Sequence, residues 1–120
     1  MTPVDHVWVL GTYYTIEYLT KEQDKHLKKA DGYCDCTVKR IVIAKIEPGR
    51  NIVADLKAYA RKCLRHEIVH AFFYESGLTV NSTCYEGAWA RCEEMVDWWA
   101  IQHEKIHDAF LQAGALEKQQ

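Results

Sequence analysis

Short apolar and β-branched runs fill the first half of the chain, and helix-spaced apolar residues fill the second. Val7-Trp8-Val9-Leu10 reads as a short strand, and residues 13–19 read as a second, rich in aromatic and β-branched residues. Residues 21–31 are polar and highly charged, which suits an exposed loop or a short solvated helix, and Asp31-Gly32 marks a turn. Residues 37–46 form the strongest predicted strand, ended by Pro48-Gly49. Asn51 is then a candidate N-cap for a helix that runs through Leu56, Ala60, Cys63, Glu67, His70 and Tyr74, with Gly77 as its stop. A connector over 78–85 leads to a second long helix over 86–113, stopped at Gly114, and residues 118–120 read as a frayed tail. The predicted fold class is α+β: a small N-terminal sheet packed on two long helices, one domain over residues 1–120.

Composition narrows the function classes. The chain of 120 residues can hold one modest core, and its 48% hydrophobic and 27% charged content is ordinary for a globular protein. A formal charge of −2 argues against a nucleic-acid footprint. No apolar run approaches the roughly 18–20 residues of a membrane span. The start, Met1-Thr2-Pro3-Val4-Asp5, lacks the cationic region of a signal peptide, so the expectation is a cytoplasmic protein. Five cysteines at irregular spacing (Cys34, Cys36, Cys63, Cys84 and Cys92) suit free thiols in a reducing compartment. Cys34-Asp35-Cys36 has no partner pair at zinc-knuckle spacing and reads as structural or incidental thiols.

One pattern changes the picture. His66-Glu67-Ile68-Val69-His70 is an HExxH motif in an apolar helical stretch. Residues four apart share a helix face, so both imidazoles can address one ion while Glu67 works on a metal-bound water. Ile68, Val69, Ala71, Phe72 and Phe73 predict a buried setting, in which two imidazoles and a carboxylate need partners or a metal. A catalytic zinc needs a third protein ligand and an open position. Glu93 and Asp97 lie four apart on the next helix, so one can bind the metal while the other orients a ligand imidazole. The 22 residues between His70 and Glu93 suffice for a helix end, a turn and a second helix alongside.

A second HExxH, His103-Glu104-Lys105-Ile106-His107, has Gln102, Lys105 and Asp108 around it and reads as a solvated helix face. It lies about 15 Å along the helix from Glu93 and has no further ligand on a separate element downstream, so it is expected to bind no metal.

His66-Glu67-Ile68-Val69-His70 followed by Glu93-x-x-x-Asp97 resembles the gluzincin branch of the zincin metallopeptidases. More narrowly, it is similar to the minimal bacterial and phage-encoded zincins of the ImmA/IrrE group. Glu93-Glu94-Met95-Val96-Asp97-Trp98-Trp99-Ala100 is similar to that group's third-ligand helix. Gly32-Tyr33-Cys34-Asp35 with Ile41-Val42-Ile43 is similar to its rim strand. The resemblance spans about residues 32–102. It implies Zn2+ bound by His66, His70 and Glu93, with Glu67 as general base and Asp97 behind His66. Glu94 is the alternative third ligand but lacks a carboxylate four residues on. The resemblance also implies hydrolysis of a peptide bond in a peptide or protein substrate, held extended against an edge strand that would here be residues 37–45. Tyr74, one turn beyond His70, is expected to be a core or rim aromatic.

Two other functions compete with a zinc metallopeptidase. One is a catalytically silent, zinc-stabilised binding module, for which Glu67 has no use. The other is a regulatory protein that binds a partner through Trp89, Trp98 and Trp99, although tryptophans at helical spacing more often pack a core.

Overall fold

The computed structural model describes residues 3–46, 55–81 and 93–117. They form an α+β arrangement in which helices pack on a four-stranded sheet. The strands are β1 (His6–Val9), β2 (Thr12–Leu19), β3 (Gly32–Asp35) and β4 (Arg40–Ala44). The helices are α1 (Leu56–Glu75), the single turn α2 (Leu78–Asn81) and α3 (Glu93–Gln112).

Each half of the sheet begins as a hairpin. β1 and β2 pair antiparallel across Leu10-Gly11, whose φ angles of 48° and 85° make the tight left-handed turn that matches strand twist. β3 and β4 pair antiparallel across a turn in which Lys39 has φ 59°. The hairpins then join through a parallel β2–β4 ladder, with Ile16 beside Ile41 and Tyr18 beside Ile43. The strand order is β1-β2-β4-β3.

This order corrects one expectation. Residues 37–45 do not form an edge: β4 is hydrogen-bonded on both sides, and its Ile41, Val42, Ile43 and Ala44 are all buried. Such a continuous apolar run is the signature of a central strand covered on both faces. The edge strand that packs more extensively on α1 is β3. Gly32 is also not in a turn but opens β3, opposite Ile43.

Val7, Val9, Tyr14, Ile16, Ile41 and Ile43 face the helices and pack on Leu64, Ile68, Ala71 and Phe72 of α1 and on Ile106, Ala109 and Ala113 of α3. The opposite sheet face is capped by Leu27, from a 3-10 turn over Lys25–Lys28, which closes on Val42 and Ala44. The charged segment 21–31 is therefore a solvated turn with one buried anchor.

Asp55 caps α1, its side chain accepting a hydrogen bond from the Ala58 N–H at 3.0 Å. The expected cap Asn51 lies outside the described residues, as do positions 86–92 of the second predicted helix and Trp89. α1 ends as expected at Ser76-Gly77, with Gly77 at φ 87°. α3 is tied to the rest at both ends. Trp98 Nε1 donates to Ser76 Oγ, and its ring packs edge-on against Phe73, with centroids 5.0 Å apart. Near the other end, Arg65 Nη1 donates to the Ala115 carbonyl, and the Trp8 N–H donates to Gln112 Oε1. No helix among the described residues is long and apolar enough to cross a membrane.

Candidate functional site

The buried stripe of α1 runs through Cys63, Leu64, Glu67, Ile68, Ala71 and Phe72. His66 and His70 lie beside that stripe and are exposed, while Glu67 belongs to it and is only 7% exposed. The expectation that all three groups are buried therefore holds for the carboxylate alone. The apolar flanks that suggested burial point a different way round the helix, since successive residues turn by about 100°. The two imidazoles share a face, with ring centroids 4.9 Å apart and planes at 73°.

These residues line a cavity of about 440 Å3 between α1 and β3, whose walls include Gly32, Tyr33, Cys34, Cys36, Tyr74 and Thr79. Glu67 reaches under the edge strand. A Cβ placed on Gly32 would lie 3.5 Å from Glu67 Oε2, 3.1 Å from Ile43 Cδ1 and 3.2 Å from the Val42 carbonyl oxygen. Gly32 thus serves close approach of strand to helix, which an Asp-Gly pair in the sequence does not reveal. Glu67 makes no hydrogen bond among the described residues, and burial pushes its carboxyl up to about 7. Burial, and then the facing His66, hold His70 below the ordinary histidine range, which favours its neutral form.

The motif's setting is braced at the end of α1 by residues the sequence did not single out. Glu75 accepts hydrogen bonds from Tyr14 (2.6 Å), Lys39 Nζ (2.7 Å) and Thr12 (3.1 Å). Its burial raises the carboxyl, but Lys39, Tyr14 and Thr12 outweigh that and keep it below the usual range. The Lys39 ammonium also sits over the Tyr74 ring at 4.8 Å. Tyr74 is the expected rim aromatic, partly buried on the cavity wall. At the start of α1, Tyr59 donates to Asp31 just before β3, and Lys21 pairs with the same carboxylate at 3.2 Å. Both ends of the helix are therefore fastened to the sheet that covers Glu67.

The predicted third ligand, Glu93, is the first residue of α3, and its side chain lies outside the described residues. Glu94 and Asp97 are exposed, and Asp97 makes no hydrogen bond among the described residues. Trp98 packs on Phe73, one turn beyond His70, so the start of α3 lies beside the end of the helix that carries the motif. Among the described residues, no three or more His, Cys, Asp or Glu side chains are grouped so as to hold a metal ion. His66, His70 and the unpartnered Glu67 carboxylate nonetheless supply two imidazole donors and a base at one cavity. That donor set suits a zinc ion completed by one more side chain.

His103, Glu104, Lys105 and His107 are exposed on α3, and only Ile106 of that second motif is buried. Trp98 packs against the core, whereas Trp99 is 50% exposed. A larger depression of about 780 Å3 adjoins Tyr33, Asp24, His26 and Arg40. Its polar groups already satisfy one another: Arg40 pairs with Glu17 at 2.7 Å, and Tyr33 donates to Asp24.

Comparison with protein-family models, with curated proteins and with solved structures found no match to this chain.

Proposed function

We propose that the chain is a zinc-dependent metallopeptidase of the minimal zincin kind. The observation that carries this reading is Glu67: a carboxylate buried beneath an edge strand, without a hydrogen-bond partner among the described residues, facing a cavity beside two exposed imidazoles. A structural metal site has no use for such a group, whereas a hydrolase needs a base at that place.

In this reading His66, His70 and Glu93 hold the metal, and Asp97 orients an imidazole. Zinc, when bound, supplies Lewis acidity toward a carbonyl and a water molecule. Glu67, with its affinity for a proton tuned near neutrality, takes the proton of the attacking water and returns it to the leaving amine. The substrate lies extended along β3, whose outer edge offers backbone hydrogen bonds. Strand addition thus falls on Gly32–Asp35 and not on 37–45.

The test is metal content followed by turnover. The purified protein is expected to carry one zinc, and Glu93→Ala is expected to lose it. A peptide library is expected to be cleaved by the wild type, not after chelation and not by Glu67→Gln, which keeps its zinc. Zinc without cleavage of any peptide would leave the silent binding module in its place, and no zinc at all would remove both.

A further inference from the structure

Cys34 and Cys36 stand apart from the proposed hydrolytic chemistry, yet they line the same cavity. Their Sγ atoms are 3.2 Å apart, and both side chains are partly buried. In a regular strand, residues two apart sit on one face but hold their side chains well separated. Here β3 ends at Asp35, and Cys36 already belongs to the turn, which brings its sulfur back over Cys34. A covalent S–S bond is about 2.0 Å long, so the sulfurs need approach by only about 1 Å.

The surroundings of the two thiols differ. The Lys39 ammonium, paired with Glu75, is also a neighbour of Cys36. Cys34 packs against the hydrophobic core, and burial, then Cys36 and Glu67, push its thiol up. Cys36 stands in the turn beyond β3, which places its sulfur to meet an oxidant first and the core-packed Cys34 to follow.

We propose that Cys34 and Cys36 are a reversible dithiol–disulfide site at the mouth of the cavity, with a peroxide as the oxidant. The Cys36 sulfur attacks one peroxide oxygen. An S–O bond forms, the O–O bond breaks, and the departing hydroxide takes the thiol proton and leaves as water. The Cys34 sulfur then attacks the sulfenic sulfur of Cys36. The S–S bond forms, the S–O bond breaks, and the second hydroxide leaves as water with the Cys34 proton. Two thiols are oxidised by two electrons, and hydrogen peroxide is reduced to two waters. The product ties the end of β3 to its turn and removes two thiols from the wall opposite His66 and His70. The thiol chemistry stands whether or not the cavity hydrolyses peptides.

The test treats the chelated full-length protein with a slight excess of hydrogen peroxide. It then labels remaining thiols with a maleimide under denaturing conditions. Two of the five thiols are expected to be lost. The tryptic peptide over residues 30–39, which contains both, should be two hydrogens lighter and unlabelled, and dithiothreitol should restore both labels. Cys34→Ser is expected to leave a sulfenic acid on Cys36 that dimedone traps. The wild-type peptide decides the matter even if that variant folds poorly. A peptide that keeps two labels, or gains oxygen instead of losing hydrogen, overturns the proposal. So does a disulfide that joins either residue to Cys63, Cys84 or Cys92.

Discussion

The backbone of Gly32 lies directly over the carboxylate of Glu67, close enough that a single added methyl would stand 3.5 Å from Oε2. The same methyl would meet the Val42 carbonyl at 3.2 Å, and that oxygen belongs to the central strand. The Ile43 methyl can turn aside, but the carbonyl cannot without moving β4. Gly32→Ala is therefore expected to cost about 1–3 kcal/mol, the usual range for overpacking. Urea unfolding checks this, and an unchanged midpoint would show that β3 rides higher over α1 than described.

The raised proton affinity of Glu67 has a consequence for stability. Its folded value, about 7, lies above the ordinary 4.5, so between these the folded chain binds more protons than the unfolded one. The contribution is present below about pH 4.5 and is lost as pH rises through 7. Each tenfold change in proton affinity is about 1.4 kcal/mol, which puts the effect on the order of 1–3 kcal/mol. With metal chelated, the melting temperature should fall between pH 5 and 8, and Glu67→Gln should flatten that slope. An equal slope in the variant would assign it to other groups.

Glu75 gathers three donors from one strand and one turn at the end of α1. Glu75→Ala leaves the Tyr14 hydroxyl buried without its acceptor, and the expected loss is about 1–3 kcal/mol. Lys39→Met should cost less, because Glu75 keeps its hydrogen bonds from Tyr14 and Thr12. Comparing the two variants by denaturant unfolding tests the order, and a larger loss for Lys39→Met would contradict it.

His103→Ala combined with His107→Ala should leave zinc content unchanged and shift stability by no more than about 0.5 kcal/mol, as is usual for exposed positions. A drop in bound zinc would reinstate the second motif as a site. Asp97→Ala is expected to weaken zinc affinity by about 10–100-fold, the usual effect of removing a group that orients a ligand. Competition with a fluorescent chelator reads both.

Local patterning carried the elements but not their neighbours. The strand over 13–19 and the helix through His70 are legible from β-branched content and helical spacing, while of the predicted strand 37–46 only Arg40–Ala44 is strand and residues 37–39 are turn. Strand order is not legible, because nothing in the run Ile41-Val42-Ile43 says which strands flank it. The lack of alternation in β4 follows from its central place, where both faces are buried. The depth of the histidines is not legible either, because hydrophobic neighbours in sequence are not neighbours in space on a helix. Ile68 and Phe72 point into the core, while His66 and His70 stand at its margin. Gly32 followed an aspartate and imitated a turn, and its close packing under Val42 and Ile43 appears only when β3 is laid over α1.

The two hairpins of the sheet meet along one parallel seam, and within the sheet β3 is hydrogen-bonded to β4 alone. What stands above Glu67 is thus decided by hydrogen-bond register. A slip of β3 by two residues would keep every side chain on its proper face, yet it would replace the bare backbone of Gly32 by the Cys34 side chain. The cavity would close with the sheet intact. Which group stands above Glu67 is thus a matter of pairing, and a molecule paired two residues out would be blocked at the cavity.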